Sequence, residues 1–133
     1  MRRSGSILVL FAVPLVLAAG EQAVKTVTPA EAAKMTGKKV TVEMVVKSVG
    51  KGKGVFFINS EKDFRDDKNF TLFVDKDGAK KFEDAKIDPV ARFEGKTVRA
   101  SGEVKVFRER PEIVISDPKQ IEIVKTKAPP KTP

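Results

Sequence analysis

The chain has 133 residues, with 26 Lys and Arg against 18 Asp and Glu, a net charge of +8, and neither Cys nor His. Without cysteine a disulfide framework and a lipoprotein anchor are excluded, and the commonest general base, metal ligand and strong nucleophile are all missing. We therefore expect no catalytic residues, no cofactor and no metal, which disfavours a hydrolase. The positive charge favours a polyanionic partner such as nucleic acid, an acidic glycan or lipid headgroups, with a solvated lysine-rich surface as the alternative.

Residues 1–20 have the pattern of a secretory signal peptide: a basic start, an apolar run at 7–17 and small residues at 18–20. A membrane-spanning helix needs about 20 apolar residues, and Pro14 interrupts this run, so we expect cleavage rather than a retained anchor. The mature protein would begin at Glu21, be periplasmic or secreted, and keep no stable membrane anchor. What remains is enough for one domain.

A short helix is predicted before the β-rich part of the chain. Thr28 stands where an N-cap belongs, Pro29 at the first helical position and Glu31 three residues after the cap. The pattern predicts a helix over 30–35, which Gly37 ends. Residues 21–37 would thus be a linker with a short N-terminal helix, and residues 38–124 the main domain.

The first strand is predicted over 38–49, because apolar residues alternate with polar ones; the inward set is Val40, Val42, Met44 and Val46. A glycine-rich basic loop, 47–54, follows it and carries Lys47, Lys51 and Lys53. A phosphate-binding loop would need the pattern G-x-x-x-x-G-K-[ST] opening a helix. Here a strand follows, so we predict a mobile hairpin loop instead.

Strands two and three are predicted at 55–59 and 70–74, with a polar turn at 61–69 between them. The spacing of Asp63, Asp66 and Asp67 does not match a calcium loop, so these carboxylates are interpreted as turn residues. Asn69-Phe70-Thr71 is formally a glycosylation sequon.

Two helices are predicted next, one over 79–85 with Asp77 as its cap and one over 89–93. Phe82 and Ile87 are their expected core contacts.

A hairpin closes the predicted domain. Its first strand starts at Thr97, has Val98, Ala100, Val104 and Val106 on the inward face, and is bent by a central glycine. A basic turn at 107–111 leads to the second strand at 113–115. The apolar pattern resumes at 120–124, and residues 125–133 form a Lys/Pro-rich tail expected to be disordered.

This order of elements predicts a mainly β fold. The chain has three strands, a helical segment and then two further strands, and a glycine bends the fourth strand. This order is typical of a five-stranded Greek-key barrel of the OB type. The short N-terminal helix would cover one end.

The closing half of the chain also resembles a known family. The run 95–123 resembles bacterial exported OB-fold nucleic-acid-binding domains of the tRNA-anticodon-like type, in which a segment G-K-x-V-x-V-x-G-x-V, a basic turn and a segment P-E-I-x-[VI]-x-x-P-x-Q-I recur. The matching residues are Gly95, Lys96, Val98, Gly102, Val104, Pro111, Glu112, Ile113, Pro118, Gln120 and Ile121. Phe57-Ile58-Asn59 and Phe70-Thr71 resemble the family's second and third strands, so the resemblance spans 38–124. Phe107 stands where the family usually has Tyr.

An OB barrel binds its ligand across strands two and three, between the loop joining strands one and two and the loop joining strands four and five. Both loops are basic here. The residues predicted to bind nucleic acid are Lys47, Lys51, Lys53, Phe57 (or Phe56), Thr71, Phe73, Arg99, Lys105, Phe107, Arg108 and Arg110. Each phenylalanine has the core as its alternative place.

We therefore predict an exported module that binds single-stranded DNA or RNA, or another polyanion, with little sequence preference. The alternative is a periplasmic or extracellular module that binds an envelope protein or an anionic glycan, or that supports an assembly. The fold alone does not choose between them.

Overall fold

The computed structural model describes residues 25–125. The predicted signal peptide and the predicted tail from residue 126 onward lie outside them. The helices are α1 (Pro29–Ala32), α2 (Lys76–Asp84) and α3 (Pro89–Phe93), with a 3-10 turn at Pro118–Gln120. The strands are β1 (Thr26–Val27), β2 (Lys39–Val45), β3 (Ser48–Gly52), β4 (Val55–Asn59), β5 (Thr71–Val74), β6 (Thr97–Phe107), β7 (Arg110–Ile115) and β8 (Ile121–Ile123). Within this part of the chain no helix is both long enough and apolar enough to cross a membrane.

All eight strands belong to one mixed sheet with the order β1-β2-β6-β7-β5-β4-β3, and β8 pairs with β6. Two pairs of strands are parallel, β1–β2 and β5–β7, and the other pairs are antiparallel. The mainly β class and the helical segment before β6 are thus confirmed. The sheet has eight strands where five are predicted, so the five-stranded barrel is not confirmed. The chain of pairings ends at β1 and β3, which do not pair with each other, so the sheet of residues 25–125 is not closed.

The predicted loop 47–54 is largely a strand. β3 pairs with β4 from Ser48 opposite Asn59 to Gly52 opposite Val55, so the turn itself is only Lys53 and Gly54. Gly54 has φ +70°, a conformation that favours glycine. The glycines weaken this strand, but β4 supplies a complete set of ladder partners, and tertiary pairing overrides the local preference.

The core lies inside the curved sheet and under α2 and α3. The inward sets predicted for the first strand and for Val98, Ala100 and Val104 are buried, as are Phe82 and Phe93, whose rings pack edge to face at 5.9 Å. Val106 is a correction, because 53% of it is exposed. It pairs with Pro111 near the tip of the β6–β7 hairpin, where the hairpin projects past the core.

Two helix starts test the predicted caps. The capping box at Thr28 and Glu31 is confirmed, although α1 ends at Ala32, before the predicted residue 35. For α2 the predicted cap is wrong. Asp75 caps the helix, since its Oδ1 accepts a 2.8 Å hydrogen bond from the N–H of Gly78. Gly78 is required there, because a Cβ would lie 2.3 Å from the carbonyl oxygen of Ile115.

Candidate nucleic-acid interface

The register of β3, β4, β5, β7 and the second half of β6 defines one continuous surface opposite the core, which we call the outer face. Strand alternation places on it Ser48, Gly50, Phe57, Asn59, Thr71, Phe73, Lys105, Phe107, Arg110, Glu112 and Val114. One row across the strands runs through Gly50, Phe57, Phe73 and Val114, and the next through Ser48, Asn59, Thr71, Glu112 and Lys105. Six of the predicted binding residues therefore share this face.

An aromatic pair occupies the middle of the outer face. The rings of Phe57 and Phe73 lie 5.3 Å apart between centroids, and 37% of Phe57 is exposed. Phe56 points the other way and packs against the core, so Phe57 is the outward member of the two alternatives. Opposite Phe57, Gly50 has no side chain, and a Cβ there would lie 3.8 Å from the Phe57 side chain. The aromatic surface is left uncovered on that side.

The tip of the β6–β7 hairpin carries a second aromatic and basic group. Arg108 and Glu109 both have positive φ, 53° and 67°, as in a two-residue turn of type I′. Phe107 is 58% exposed, and the guanidinium carbon of Arg108 lies 5.2 Å from its ring centroid. The side chain of Arg110 is directed toward the β4–β5 connection, where its Nη1 donates to the carbonyl oxygen of Asp66 at 3.4 Å.

Two predicted binding residues are held elsewhere by ion pairs. Lys47 pairs with Glu61 at 3.3 Å, and Arg99 pairs with Glu43 at 2.8 Å on the β2–β6 part of the sheet. Lys51 lies opposite Phe56 in the register, so it alternates away from the outer face, although it lies at its edge. Lys53 is exposed in the β3–β4 turn.

Glu112 is an acidic member of the outer face that the sequence analysis treated only as a family motif residue. It lies between Thr71 on β5 and Lys105 on β6. Its partial burial raises the pKa of the Glu112 carboxyl above the usual 4.5, and the charge of Lys105 opposes that shift in part. A carboxylate in this position opposes phosphate binding beside it, because like charges repel.

A buried polar network fixes the connection between β4 and β5, residues 60–70. The amide of Asn69, only 3% exposed, accepts from the N–H of Glu61 at 3.0 Å and donates to Thr71 Oγ1 at 3.0 Å and to the carbonyl of Phe64 at 3.3 Å. Thr71 Oγ1 also donates to Asn59 Oδ1 at 2.9 Å. The sequon asparagine is therefore a structural residue in the interior.

The acidic residues of this connection form local turn bonds, as predicted. Asp63 Oδ1 accepts from the backbone N–H of Arg65 and Asp66 Oδ1 from that of Lys68. The hydrogen bonds from Arg65 lower the pKa of the Asp63 carboxyl. Across residues 25–125, no group of three or more Asp or Glu side chains is arranged to hold a metal ion.

Phe64 of the same connection is a residue that the sequence analysis missed. It is 58% exposed and lines a cavity of about 340 Å³ on the outer face, together with Phe57 and Thr71. A large apolar residue in a run of charged ones was the signal that could have identified it, because such a residue is normally buried.

Comparison with known proteins yields no matching family model and no match among curated proteins. Solved structures do match. Aspartyl tRNA synthetase from Entamoeba histolytica gives a TM-score of 0.55 at 18% identity over 85% of this chain. Asparaginyl-tRNA synthetase from Pyrococcus horikoshii gives 0.51 at 21% over 74%, and OBody AM1L10, bound to hen egg-white lysozyme, gives 0.52 at 19% over 77%.

The chain corresponds to 24% and 22% of the lengths of the two synthetases and to 95% of the OBody. At these identities the similarity concerns the fold alone. The described chain has the OB fold that these structures share.

Proposed function

We propose that this protein is an OB-fold module that binds single-stranded nucleic acid with little sequence preference. The observation that carries the proposal is the Phe57–Phe73 pair on the outer face, in which Phe57 is exposed and Phe73 is half-buried, with the basic and aromatic hairpin tip beyond it. Bases stack on such rings regardless of identity, because every base has a π-face, and cations beside them neutralise the phosphates. The two similar synthetases are named for tRNA, which agrees with this class of ligand.

We also infer that residues 39–52 act as one bent strand. Only Val46 and Lys47 separate β2 from β3. Apart from the short strand β1, which pairs with the outer side of β2, the order of pairing therefore begins and ends within this one stretch. Counted so, and with the short strands β1 and β8 set aside, five strands remain, the number in a barrel of the OB type. The β3–β4 turn and the β6–β7 turn would then frame the outer face at its two ends.

Binding should respond to salt with a modest slope. Each phosphate contact on a single strand contributes about −0.7 to the slope of log affinity against log salt, so about four contacts give a slope near −3. The test is a titration of a labelled oligonucleotide at several salt concentrations. Arg108→Gln combined with Arg110→Gln removes two cations of the hairpin and should make the slope shallower by about 1.4.

A matched control removes two exposed cations from other elements. Arg92→Gln combined with Lys119→Gln changes the net charge equally, but Arg92 lies on α3 and Lys119 in the 3-10 turn. We expect this pair to leave the slope nearly unchanged. Absence of oligonucleotide binding at low salt, or an equal effect of both double variants, contradicts the proposal.

A protein ligand is the second candidate, and one comparison favours it: the OBody of similar fold is bound to lysozyme. Pull-down from a cell-envelope extract before and after nuclease treatment separates the two candidates, because a protein ligand is still retained after the treatment. Heparin as a competitor separates base stacking from attraction between charges alone. If the protein binds heparin as tightly as an oligonucleotide of equal charge, the outer face recognises charge alone, and base stacking contributes nothing.

We propose in addition that the protein is exported, from the pattern of residues 1–20. The mature protein would then have Glu21 as its amino-terminal residue, which N-terminal sequencing checks. An envelope protein or an anionic glycan is the partner that export would favour if nucleic acid is not bound.

A further inference from the structure

One cavity of the outer face has a shape and lining that go beyond a general binding surface. Its volume of about 340 Å³ lies at the lower end of the range for small-molecule sites, roughly 300–1,000 Å³. It is therefore suited to one flat ring system with part of its sugar and phosphate. The six lining residues come from β3, β4, β5 and the β4–β5 connection: Gly50, Lys51, Phe57, Asn59, Phe64 and Thr71.

Two of the lining side chains are aromatic and come from different elements. Phe57 is fixed in β4 and packs against Phe73. Phe64 projects from the β4–β5 connection, where its own carbonyl accepts from the Asn69 amide at 3.3 Å and its ring lies 5.7 Å from the guanidinium carbon of Arg65. Because buried Asn69 holds this backbone, Phe64 is positioned before any ligand arrives, which lowers the entropic cost of binding.

The polar side chains of the cavity already have partners within the protein. The amide nitrogen of Asn59 donates to Ser48 Oγ and to the carbonyl of Phe57, both at 3.3 Å. Its oxygen accepts from Thr71 and from Asn69, and the single hydroxyl proton of Thr71 is used in that bond. Reading the edge of a base would require breaking these bonds, so the cavity offers stacking without edge recognition.

Lys51 is the cation nearest the cavity: it lines the margin on β3, the strand at the end of the sheet, although its side chain alternates to the other side of that strand. None of the ion pairs formed by residues 25–125 involves it. On the basis of the nucleic-acid binding proposed above, we propose that this cavity takes one unpaired base between Phe57 and Phe64 without distinguishing among the bases, while Lys51 neutralises its phosphate. The cavity thereby accounts for binding with little sequence preference.

The absence of Trp and Tyr from the chain allows a direct optical test. Phe64→Trp introduces a single indole, whose fluorescence should be quenched by dT, dC and dA oligonucleotides alike. Phe64→Ala should lower the affinity for each of the three by about 5- to 150-fold, the range of one base–aromatic stack, with no change in the salt slope. Lys51→Gln should instead make the slope shallower by about 0.7.

Val45→Ala is the control, because it truncates another exposed apolar side chain on β2 and should leave affinity unchanged. Thermal melting of each variant verifies that it is folded. If the unmodified protein binds no oligonucleotide, the proposed function itself fails. If it binds and Phe64→Ala has no effect, only the cavity assignment is overturned. A loss confined to one base overturns the claim that the cavity does not discriminate.

Discussion

Replacing Asn69 with alanine tests whether the β4–β5 connection is a fixed part of the outer face. The amide joins three points of that connection: the N–H of Glu61 and the carbonyl of Phe64 within it, and the hydroxyl of Thr71 at its end. Thr71 keeps its bond to Asn59 in the variant, and the Phe64 carbonyl can accept from water. The partly buried N–H of Glu61 loses its partner.

The expected loss of stability is set by that N–H, although the buried hydroxyl of Ser60 also loses its longer, 3.5 Å hydrogen bond to Asn69 Oδ1. A buried donor left without a partner costs about 1–3 kcal/mol, so we expect Asn69→Ala to lower the free energy of unfolding by about 2 kcal/mol. A domain of this size loses roughly 4–8 °C of melting temperature per kcal/mol. The predicted fall is therefore about 10 °C, measured by circular dichroism or calorimetry.

The control is Asp67→Ala in the same connection. Asp67 is exposed, and a surface substitution of this kind usually changes stability by less than about 0.5 kcal/mol. Asn69→Ala should also weaken oligonucleotide binding, as Phe64→Ala does, since Phe64 loses its support. If Asn69→Ala melts within a few degrees of Asp67→Ala, the connection is not held by this network and the preorganisation of Phe64 is refuted.

Two further substitutions test the outer face and the end of α2. Because burial raises the pKa of Glu112 above 4.5, the folded protein loses stability as the pH rises through and above that value. Glu112→Gln should therefore be more stable than the parent protein at pH 7 and equally stable at pH 3, as measured by urea unfolding. Exposed Glu103→Gln is the control. If the gain in stability of Glu112→Gln persists at pH 3, burial of the charged carboxylate is not its cause. Lys86 ends α2 in a left-handed conformation, with φ 62°, and the N–H of Ile87 after it donates to the carbonyl of Phe82. Because glycine adopts this conformation without strain, Lys86→Gly should raise the free energy of unfolding by about 0.5–1 kcal/mol. The same change at Lys80 within α2 should destabilise by a similar amount, and a loss at both positions would refute the assignment.

Much of the fold was predictable because the inward residues alternate with a clear period of two. The first strand and the hairpin follow that pattern, while the two central strands are short apolar runs between turn residues. A capping residue followed by proline, Thr28-Pro29 and Asp88-Pro89, marks the starts of α1 and α3. Strand β3 was not predictable in the same way. Its glycines and lysines resemble a loop, and only pairing with β4 makes them a strand.

The site was predictable at the level of strands but less so at the level of side chains. Periodicity left Phe56 and Phe57 as alternatives, since both lie in an apolar run without alternation, and the register decided for Phe57. Asn69 looked like a surface sequon because local sequence does not contain the contacts that bury it. Ion pairs such as Arg99 with Glu43 join residues far apart in the chain, so a count of basic residues could not identify which cations are already neutralised.

The distribution of charge bears on how a nucleic acid would be held. Seven of the predicted binding residues are cationic, and four of these have an acidic neighbour. Lys47 and Arg99 are paired with carboxylates, Lys105 faces Glu112 across the β6–β7 ladder, and Arg110 contacts the acidic β4–β5 connection. Lys51, Lys53 and Arg108 are the predicted cations for which the described chain shows no such acidic contact. Three to five cations, at about 0.7 each, limit the salt slope to between roughly −2 and −3.5. Binding of useful strength would therefore have to come largely from stacking on Phe57, Phe64, Phe73 and Phe107, and affinity should decline more when these rings are removed than when salt is raised.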